Sequence, residues 1–320
     1  MAAPAIASPL PDAATTLSFQ RVSKQFGARA ALLDVTLDLR PGLVGLLGPN
    51  GAGKTTWLRL AAGLTTPSSG QVTWLDGLRR REPRLDNRIA YVSDGDSLPR
   101  ATSPMGLCTE LLRCSGLPAS EAEDRSHSVL LRLGLESQLE APLGTLSRGQ
   151  RQRVKLAQAF ALPASLLLLD EPLNALDPIW RMEVAALMQE AVAAGACVVL
   201  SSHILEEVQA LSTWLVLLFR GRLVAAGSQG EIHDLLHNRA NALRIRCPEP
   251  RLLARELLSR APVSALRIED GELCVNATDI GALYRALPAA VVAIGARIDQ
   301  VTTDGDDLVS LFKALSAEVR

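Results

Sequence analysis

The sequence predicts an α/β fold built on a parallel sheet, followed by a smaller α+β domain. The apolar run Leu43-Val44-Gly45-Leu46-Leu47 reads as a buried strand and leads into Gly48-Pro49-Asn50-Gly51-Ala52-Gly53-Lys54-Thr55-Thr56. This second stretch meets the pattern G-x-x-x-x-G-K-[ST] and opens a helix-like segment reaching Ala62. Two further apolar runs, Leu166 to Leu169 and Ala196 to Leu200, end in Asp170-Glu171 and Ser201-Ser202-His203. Polar groups at the carboxyl ends of buried strands are what an open parallel sheet uses to bind a ligand. From Asn241 onward, strand-like alternation and helical spacing succeed one another, which predicts the α+β domain.

Composition narrows the function classes. A chain of 320 residues, 48% of them hydrophobic, can bury a sizeable core as a soluble globular protein. Runs such as Trp214 to Phe219 are far shorter than the roughly 20 residues of a membrane-spanning helix, so any work at a membrane goes through a partner. The formal charge of −1 gives no general pull toward nucleic acid. The densest basic patch, Arg79-Arg80-Arg81 with Arg84 and Arg88, reads first as a solvated surface and second as a contact for lipid headgroups or RNA. Cys108, Cys114, Cys197, Cys247 and Cys274 are odd in number and lack C-x-x-C spacing, which fits core thiols in a reducing compartment. Residues 1–16, rich in Ala and Pro and free of Lys and Arg, are expected to be a disordered leader rather than a secretory signal.

The glycine loop carries the clearest chemistry. Its glycines let successive backbone N–H groups point at phosphate oxygens, and the helix that follows adds its positive end. Lys54 is placed to reach the β- and γ-phosphates of a nucleotide triphosphate and Thr55 to ligate Mg²⁺. A chance match in a chain of this length is on the order of one in a hundred. Asp170 suits the same Mg²⁺ shell, and Glu171, one residue on, suits orienting or deprotonating an attacking water. His203, at a third strand end, suits a γ-phosphate contact, although a lone histidine is more often a satisfied polar residue.

The remaining elements follow in order. Leu17 to Val22 and Val35 to Leu39 read as strands, the second stopping at the Pro41-Gly42 turn. Phe26, between them, suits either stacking on an adenine or a place in the core. Gln71 to Leu75 and Ile89 to Val92 are short strands, and residues 94–145 read as a helical insertion with helices over Met105 to Cys114 and Glu121 to Leu133. Ser147 caps a helix running from Arg151 to Ala161. Trp214 to Phe219 and Arg222 to Ala226 form a hairpin. A helix over Glu231 to Arg239 places His233 and His237 at i,i+4, where an exposed polar face outweighs a metal site because no third ligand is near.

Taken in order over Leu17 to Gly230, these motifs resemble the ATP-binding subunit of an ABC transporter. Gly48 to Thr56, with Asn50, Gly51, Gly53 and Thr56, corresponds to the Walker A motif, and Leu146-Ser147-Arg148-Gly149-Gln150 to the family signature. Leu166 to Glu171 corresponds to the Walker B motif with its glutamate, Asn174-Ala175-Leu176-Asp177 to the D-loop, and Ser202-His203 to the switch histidine. Phe26 stands where the family places its adenine-stacking aromatic. The resemblance implies a nucleotide triphosphatase core with an antiparallel β subdomain and a helical subdomain, using ATP and Mg²⁺, with Glu171 and His203 catalytic. It also implies a head-to-tail pair, with a second copy or a paralogous subunit, in which Ser147 and Gly149 of one subunit touch the γ-phosphate of the other's ATP, and it counts Gln150 and Asp177 among the ATP-binding residues. Polytopic permease partners, a peripheral place on the cytoplasmic face of the membrane, and no nucleic-acid partner follow from the same resemblance.

Two departures from the family pattern stand out. Arg148 replaces the first glycine of the usual LSGGQ signature, and Asp94 stands where a glutamine is usual, a position from which it can still accept bonds from Mg²⁺-bound water. A soluble ABC-type ATPase acting on ribosomes or DNA is the alternative, weakened by the single phosphate loop and the lack of heptad runs. A third possibility is a nucleotide-dependent subunit that hydrolyses poorly. The expected layout is a cassette over 17–238 and an accessory domain over 239–320, ferredoxin-like in its order of elements. That domain has helices at Arg251 to Arg260, Ile280 to Leu287 and Asp307 to Ala317, and a hairpin across Asp270-Gly271. It resembles the C-terminal extension of ATPases serving drug, antibiotic or polysaccharide exporters, and is either a dimer or regulatory contact or a passive appendage.

Overall fold

The computed structural model describes residues 5–7, 15–74, 78–79, 88–96, 98–232, 242–269 and 271–304. They divide into two compact units, one up to Gln229 and one from Gly230 on.

The strand that leads into the glycine loop, β4 (Gly42–Leu47), sits in the middle of a seven-stranded sheet. Its neighbours are β9 (Cys197–Ser202) on one side and β10 (Trp214–Phe219) on the other, both parallel to it. Beyond β9 lie β8 (Leu166–Asp170) and β7 (Ile89–Val92), also parallel, and beyond β10 lies its antiparallel hairpin mate β11 (Arg222–Ser228). β8, β9 and β10 are buried at every residue, which is why they read as unbroken apolar runs. A further short strand, β1 (Ala5–Ala7), pairs parallel with β11. The leader expected to be disordered therefore holds a strand at these three residues, because the exposed edge of β11 offers unpaired backbone groups to any passing segment.

A second, antiparallel sheet has the order β3-β2-β5-β6, formed by β2 (Leu17–Phe26), β3 (Arg29–Leu39), β5 (Ser69–Trp74) and β6 (Leu78–Arg79). β2 and β3 run further than their alternation predicts, so that Phe26 and Arg29 close the hairpin. Register shifts along the pair break the period of two, which hid the continuation in the sequence. Helix α1 (Lys54–Ala61) lies between the two sheets. Its Trp57 stacks on Phe19 of β2, ring centroids 4.7 Å apart and planes 9° off parallel, and both side chains are fully buried. The same core holds Leu166, Leu168 and Val199 of the parallel sheet, so one aromatic pair fastens the antiparallel sheet to the parallel one through α1.

The insertion is helical, as expected. α2 (Pro104–Cys114) starts with Ser103 accepting a hydrogen bond from the Gly106 N–H, and α3 (Ala119–Arg132) follows. Both pack on α4 (Arg148–Ala161), around Leu112, Ala122 and Ala161. Arg132, at the end of α3, forks onto Glu183 and Glu190 of α5 (Pro178–Ala193) at 2.7 to 3.0 Å. A short helix, α6 (Leu205–Leu211), follows β9 and packs on β4.

The second unit has its own core. β12 (Ala242–Arg246), α7 (Pro250–Arg260), β13 (Val263–Glu269), β14 (Glu272–Ala277), α8 (Ile280–Ile294) and β15 (Gln300–Asp304) form an antiparallel sheet of order β13-β14-β12-β15. This is the ferredoxin-like βαββαβ arrangement. α8 runs past Pro288, where the sequence reading stopped it at Leu287. An interior proline costs about 3 kcal/mol, but Leu283, Leu287, Ala290, Val291 and Ile294 continue one apolar face into the core and offset it. The basic residues Arg80, Arg81 and Arg84, the His233 and His237 pair, and the helix expected over Asp307 to Ala317 lie outside the described residues.

Phe19→Ala is expected to destabilise the first unit by about 3 to 5 kcal/mol, since it removes a fully buried ring and leaves Trp57 without its stacking partner. A urea titration followed by tryptophan fluorescence should show the midpoint fall accordingly; an unchanged midpoint would mean that the two sheets do not depend on this contact.

Candidate active site

The glycine loop forms the floor of a pocket of about 380 Å³, a volume within the range of small-molecule sites. Its lining runs from Pro49 to Thr56 and takes in Phe26, Arg29, Ala30, Ala31, Asp94, Asp170 and Glu171. Gly53 is the N-cap of α1 at φ 109, and a Cβ there would stand 2.7 Å from the Ala31 carbonyl oxygen. Only glycine lets the loop curl under β3 at this point. The first turn of α1 therefore presents its unpaired N–H groups to the pocket, which is a place for an anion.

Charge is arranged around that helix end. The Lys54 ammonium is buried, donates to the Gly48 carbonyl at 2.6 Å and lies 3.5 Å from Glu171 Oε1. Thr55 Oγ1 donates to Asp170 Oδ2 at 2.8 Å, and Ser201 Oγ donates to Asp170 Oδ1 at 2.7 Å. The Ser201 hydroxyl oxygen in turn accepts from the Glu171 backbone N–H at 3.0 Å. Asp170, 2% exposed, thus has both carboxylate oxygens occupied. Glu171 turns the chain out of β8 with φ 49, a conformation that a side chain with a Cβ rarely adopts. Its carboxylate meets His203 Nδ1 at 3.1 Å.

Three strand ends and one helix start therefore bring together Lys54, Thr55, Asp170, Glu171 and His203, the residues singled out from the sequence. Phe26 stands half-exposed on the pocket wall instead of entering the core, and Asn50, Gly51, Gly53, Thr56 and Asp94 line the same space. Gly48 enters through its carbonyl. Ser201 and Arg29 were not among the sequence candidates. Ser201 was legible only as a polar residue ending an apolar strand beside β8, and Arg29 as a cation three residues after Phe26.

Ser147, Gly149, Gln150 and Asp177 are not part of the pocket lining. Ser147 caps α4 by accepting from the Gln150 N–H at 3.2 Å, and Gln150 Oε1 accepts from the Ser147 N–H at 2.8 Å. This reciprocal capping box is more than the single cap expected. A Cβ at Gly149 would stand 2.7 Å from the Ala175 carbonyl, so the start of α4 is pressed against the turn that leads to Asp177 and α5. Arg148 is exposed.

α4 also reaches back to the pocket. Lys155 donates to the carbonyls of Ser93 and Gly95 at 2.8 and 3.0 Å, and Arg151 grips Asp96 at 2.7 to 3.0 Å. Between these anchors lies Asp94. Burial pushes the Lys155 ammonium below its usual range against the pull of Asp94 and Asp96, and the Arg151 hydrogen bonds hold Asp96 below the usual carboxylate range.

Among the described residues no helix is long and apolar enough to cross a membrane. Residues 32–174 match the family model described as ABC transporter. The chain is 34% identical over 236 residues to Nod factor export ATP-binding protein I of Cupriavidus pinatubonensis (strain JMP 134 / LMG 1197), covering 73% of this chain and 72% of that one. It is 32% identical to glutamine transport ATP-binding protein GlnQ of Escherichia coli (strain K12), over 66% of this chain and 91% of the relative. A solved ATP-binding subunit of an ABC transporter, 30% identical, superposes with a TM-score of 0.66 over 70% of this chain and 94% of its own length. With the glycine loop, the two carboxylates and the signature helix placed as described, the chain belongs to the ABC transporter family as an ATP-binding subunit that hydrolyses ATP.

Proposed function

We propose that this subunit energises export by membrane-spanning partner subunits, from a peripheral position on the cytoplasmic face of the membrane, and that it works as a pair of cassettes. The observation that carries the hydrolytic part is the set of contacts joining Lys54, Thr55, Asp170 and Glu171, which line one pocket, to Ser201 and His203. Export is favoured by the relative named for Nod factor export, which aligns over 236 residues. The relative named for glutamine transport supports only the coarser role of a transport ATPase.

In this reading the adenine stacks on Phe26 and the phosphates lie over the loop from Gly48 to Thr56, with Lys54 beside the terminal ones. Thr55, Asp170 and Asp94 supply hard oxygen ligands that fit Mg²⁺; the hydroxyl and carboxylate of the first two already meet at 2.8 Å. The ion would spread the negative charge of the phosphates. Glu171 takes the proton of the attacking water, and His203, bonded to it, holds that carboxylate in place and contacts the γ-phosphate. Ser201 positions the Asp170 carboxylate and the Glu171 backbone without touching substrate. Ser147, Gly149, Gln150 and Asp177 lie outside their own pocket, which supports a role at the nucleotide of the other cassette.

Glu171→Gln is expected to lower kcat about 10²- to 10⁴-fold while leaving ATP binding intact, and to trap an ATP-bound dimer. Equal single-turnover rates for the two proteins would remove Glu171 as the base. Ser201→Ala leaves an Asp170 oxygen and the Glu171 N–H without a partner, at about 1 to 3 kcal/mol, and should reduce kcat at least about tenfold with a smaller change in KM. Steady-state kinetics with Ser201→Thr as the restoring variant tests this; equal rates for the alanine variant and the wild type would reduce Ser201 to a structural role. The full chain should copurify with membranes and a polytopic protein, and recovery with ribosomes or DNA alone would overturn the transport reading.

A further inference from the structure

Among the described residues the sheet of the second unit ends in two edge strands, β13 and β15, and β13 carries the charged side chains that matter here. β13 is terminal in its sheet, with β14 on one side only. The register pairs Glu269 with Glu272, so two residues separate the strands. In a two-residue hairpin the closing pair exchanges both backbone hydrogen bonds, and bonded and non-bonded pairs alternate from there. Glu269 and Arg267 therefore bond inward to β14, while Leu266 and Ile268 turn their N–H and C=O groups outward.

The side chains alternate with the backbone. Leu266 packs against the core on the helix-covered face, and Ile268, on the same face, is 44% exposed. Arg267 and Glu269 stand on the opposite face, 74% and 51% exposed and 3.9 Å apart. A loose exposed pair of this kind contributes little to the stability of its own domain. Natural edges are commonly blunted by Pro, Lys or a bulge; here the register shift lies between Val263 and Ala265, at the far end, and leaves Ala265 to Glu269 regular.

We propose that this edge pairs antiparallel with the β13 edge of a second copy of the chain, about a two-fold axis at Ile268. That register sets Ile268 against Ile268 as a hydrogen-bonded pair, and sets each Arg267 against Glu269 of the other copy on the open face. A two-fold at Leu266, the other outward-facing residue, would set Arg267 against Ala265 and make no ion pair. The edge is thus complementary to itself in one register, and opposite charges directly across a strand pair stabilise it where like charges repel. Five residues of strand bury far less than the roughly 800 Å² per partner of a standard interface, so the contact is weak alone and strengthened by any other link between two copies. The inference does not rest on the ATPase reading.

Cross-linking at the axis tests it with the full chain, free of nucleotide so that ATP-driven pairing of cassettes does not contribute. Cα atoms of a hydrogen-bonded antiparallel pair lie about 5.5 Å apart, within disulfide reach. Ile268→Cys should therefore form an intermolecular disulfide on mild oxidation, above the background of the wild-type cysteines. On that background Arg267→Glu and Glu269→Arg should each slow cross-linking about tenfold, because each sets like charges across the axis twice. An equal mixture of the two variants should cross-link at about half the rate of Ile268→Cys alone, severalfold faster than either variant by itself, since about half of the encounters join unlike variants and every opposing pair is then of opposite sign. Recovery on mixing also shows that both variants are folded. No disulfide above the wild-type background, or charge variants that cross-link alike alone and mixed, would overturn the proposal.

Discussion

The carboxylate of Asp170 is the point on which the site depends. It ends β8, it is buried, and its two oxygens are bonded to two elements far apart in sequence, Thr55 at the start of α1 and Ser201 in β9. A buried carboxylate without such partners would be costly enough to move or to take up a proton. With them it fixes the separation of the phosphate loop from the strand ends. The Ser201 hydroxyl extends the same chain of bonds to the Glu171 backbone, so the strained turn at φ 49 that aims Glu171 is held by the contact that holds Asp170.

The ionic cluster is nearly closed on itself. Lys54 has the Gly48 carbonyl and Glu171, and Glu171 has Lys54 and His203. An ammonium buried at a helix start, where the dipole is also positive, needs a counter-charge, and Glu171 provides one. A triphosphate brings more negative charge to the same place. Under the proposed function it competes with Glu171 for Lys54, so that nucleotide binding and the release of the proposed base are one electrostatic exchange.

Much of this was legible in the sequence, because the chemistry sits where periodicity changes. Leu166 to Leu169 and Ala196 to Leu200 are unbroken apolar runs, and a fully buried parallel strand requires that; their polar ends marked the site. The glycine loop announced itself by spacing. Contacts set by three-dimensional adjacency were not legible. Nothing near Ser201 in sequence says that it lies beside Asp170, and the bulges of β2 and β3 concealed that Arg29 returns to the pocket beside Phe26. The strand at Ala5–Ala7 and the passage of α8 through Pro288 escaped for a related reason: in each, pairing or packing with distant residues overrides a local signal of disorder or helix ending.

The departures at Asp94 and Arg148 acquire a common setting in α4. The helix begins at the capping box of Ser147 and Gln150, with Gly149 pressed on Ala175, and its next turns hold the loop of Asp94 through Arg151 and Lys155. One rigid element therefore ends at the surface that carries the signature and grips, along its length, a wall of the pocket in its own chain. Under the proposed function a shift of Asp94 on nucleotide binding is passed on to α4, because the Lys155 and Arg151 side chains that hold the Ser93 and Gly95 carbonyls and the Asp96 carboxylate belong to that helix, and a helix moves as a body. α2 and α3 pack on the same helix, so the displacement reaches the helical insertion as well. Under the proposed pairing, each nucleotide acts through α4 on the insertion of its own chain and on the signature that the other chain's nucleotide meets. Under the same proposal, an acidic residue at position 94, whose charge acts on Lys155, makes that linkage electrostatic where a glutamine would leave it to neutral hydrogen bonds.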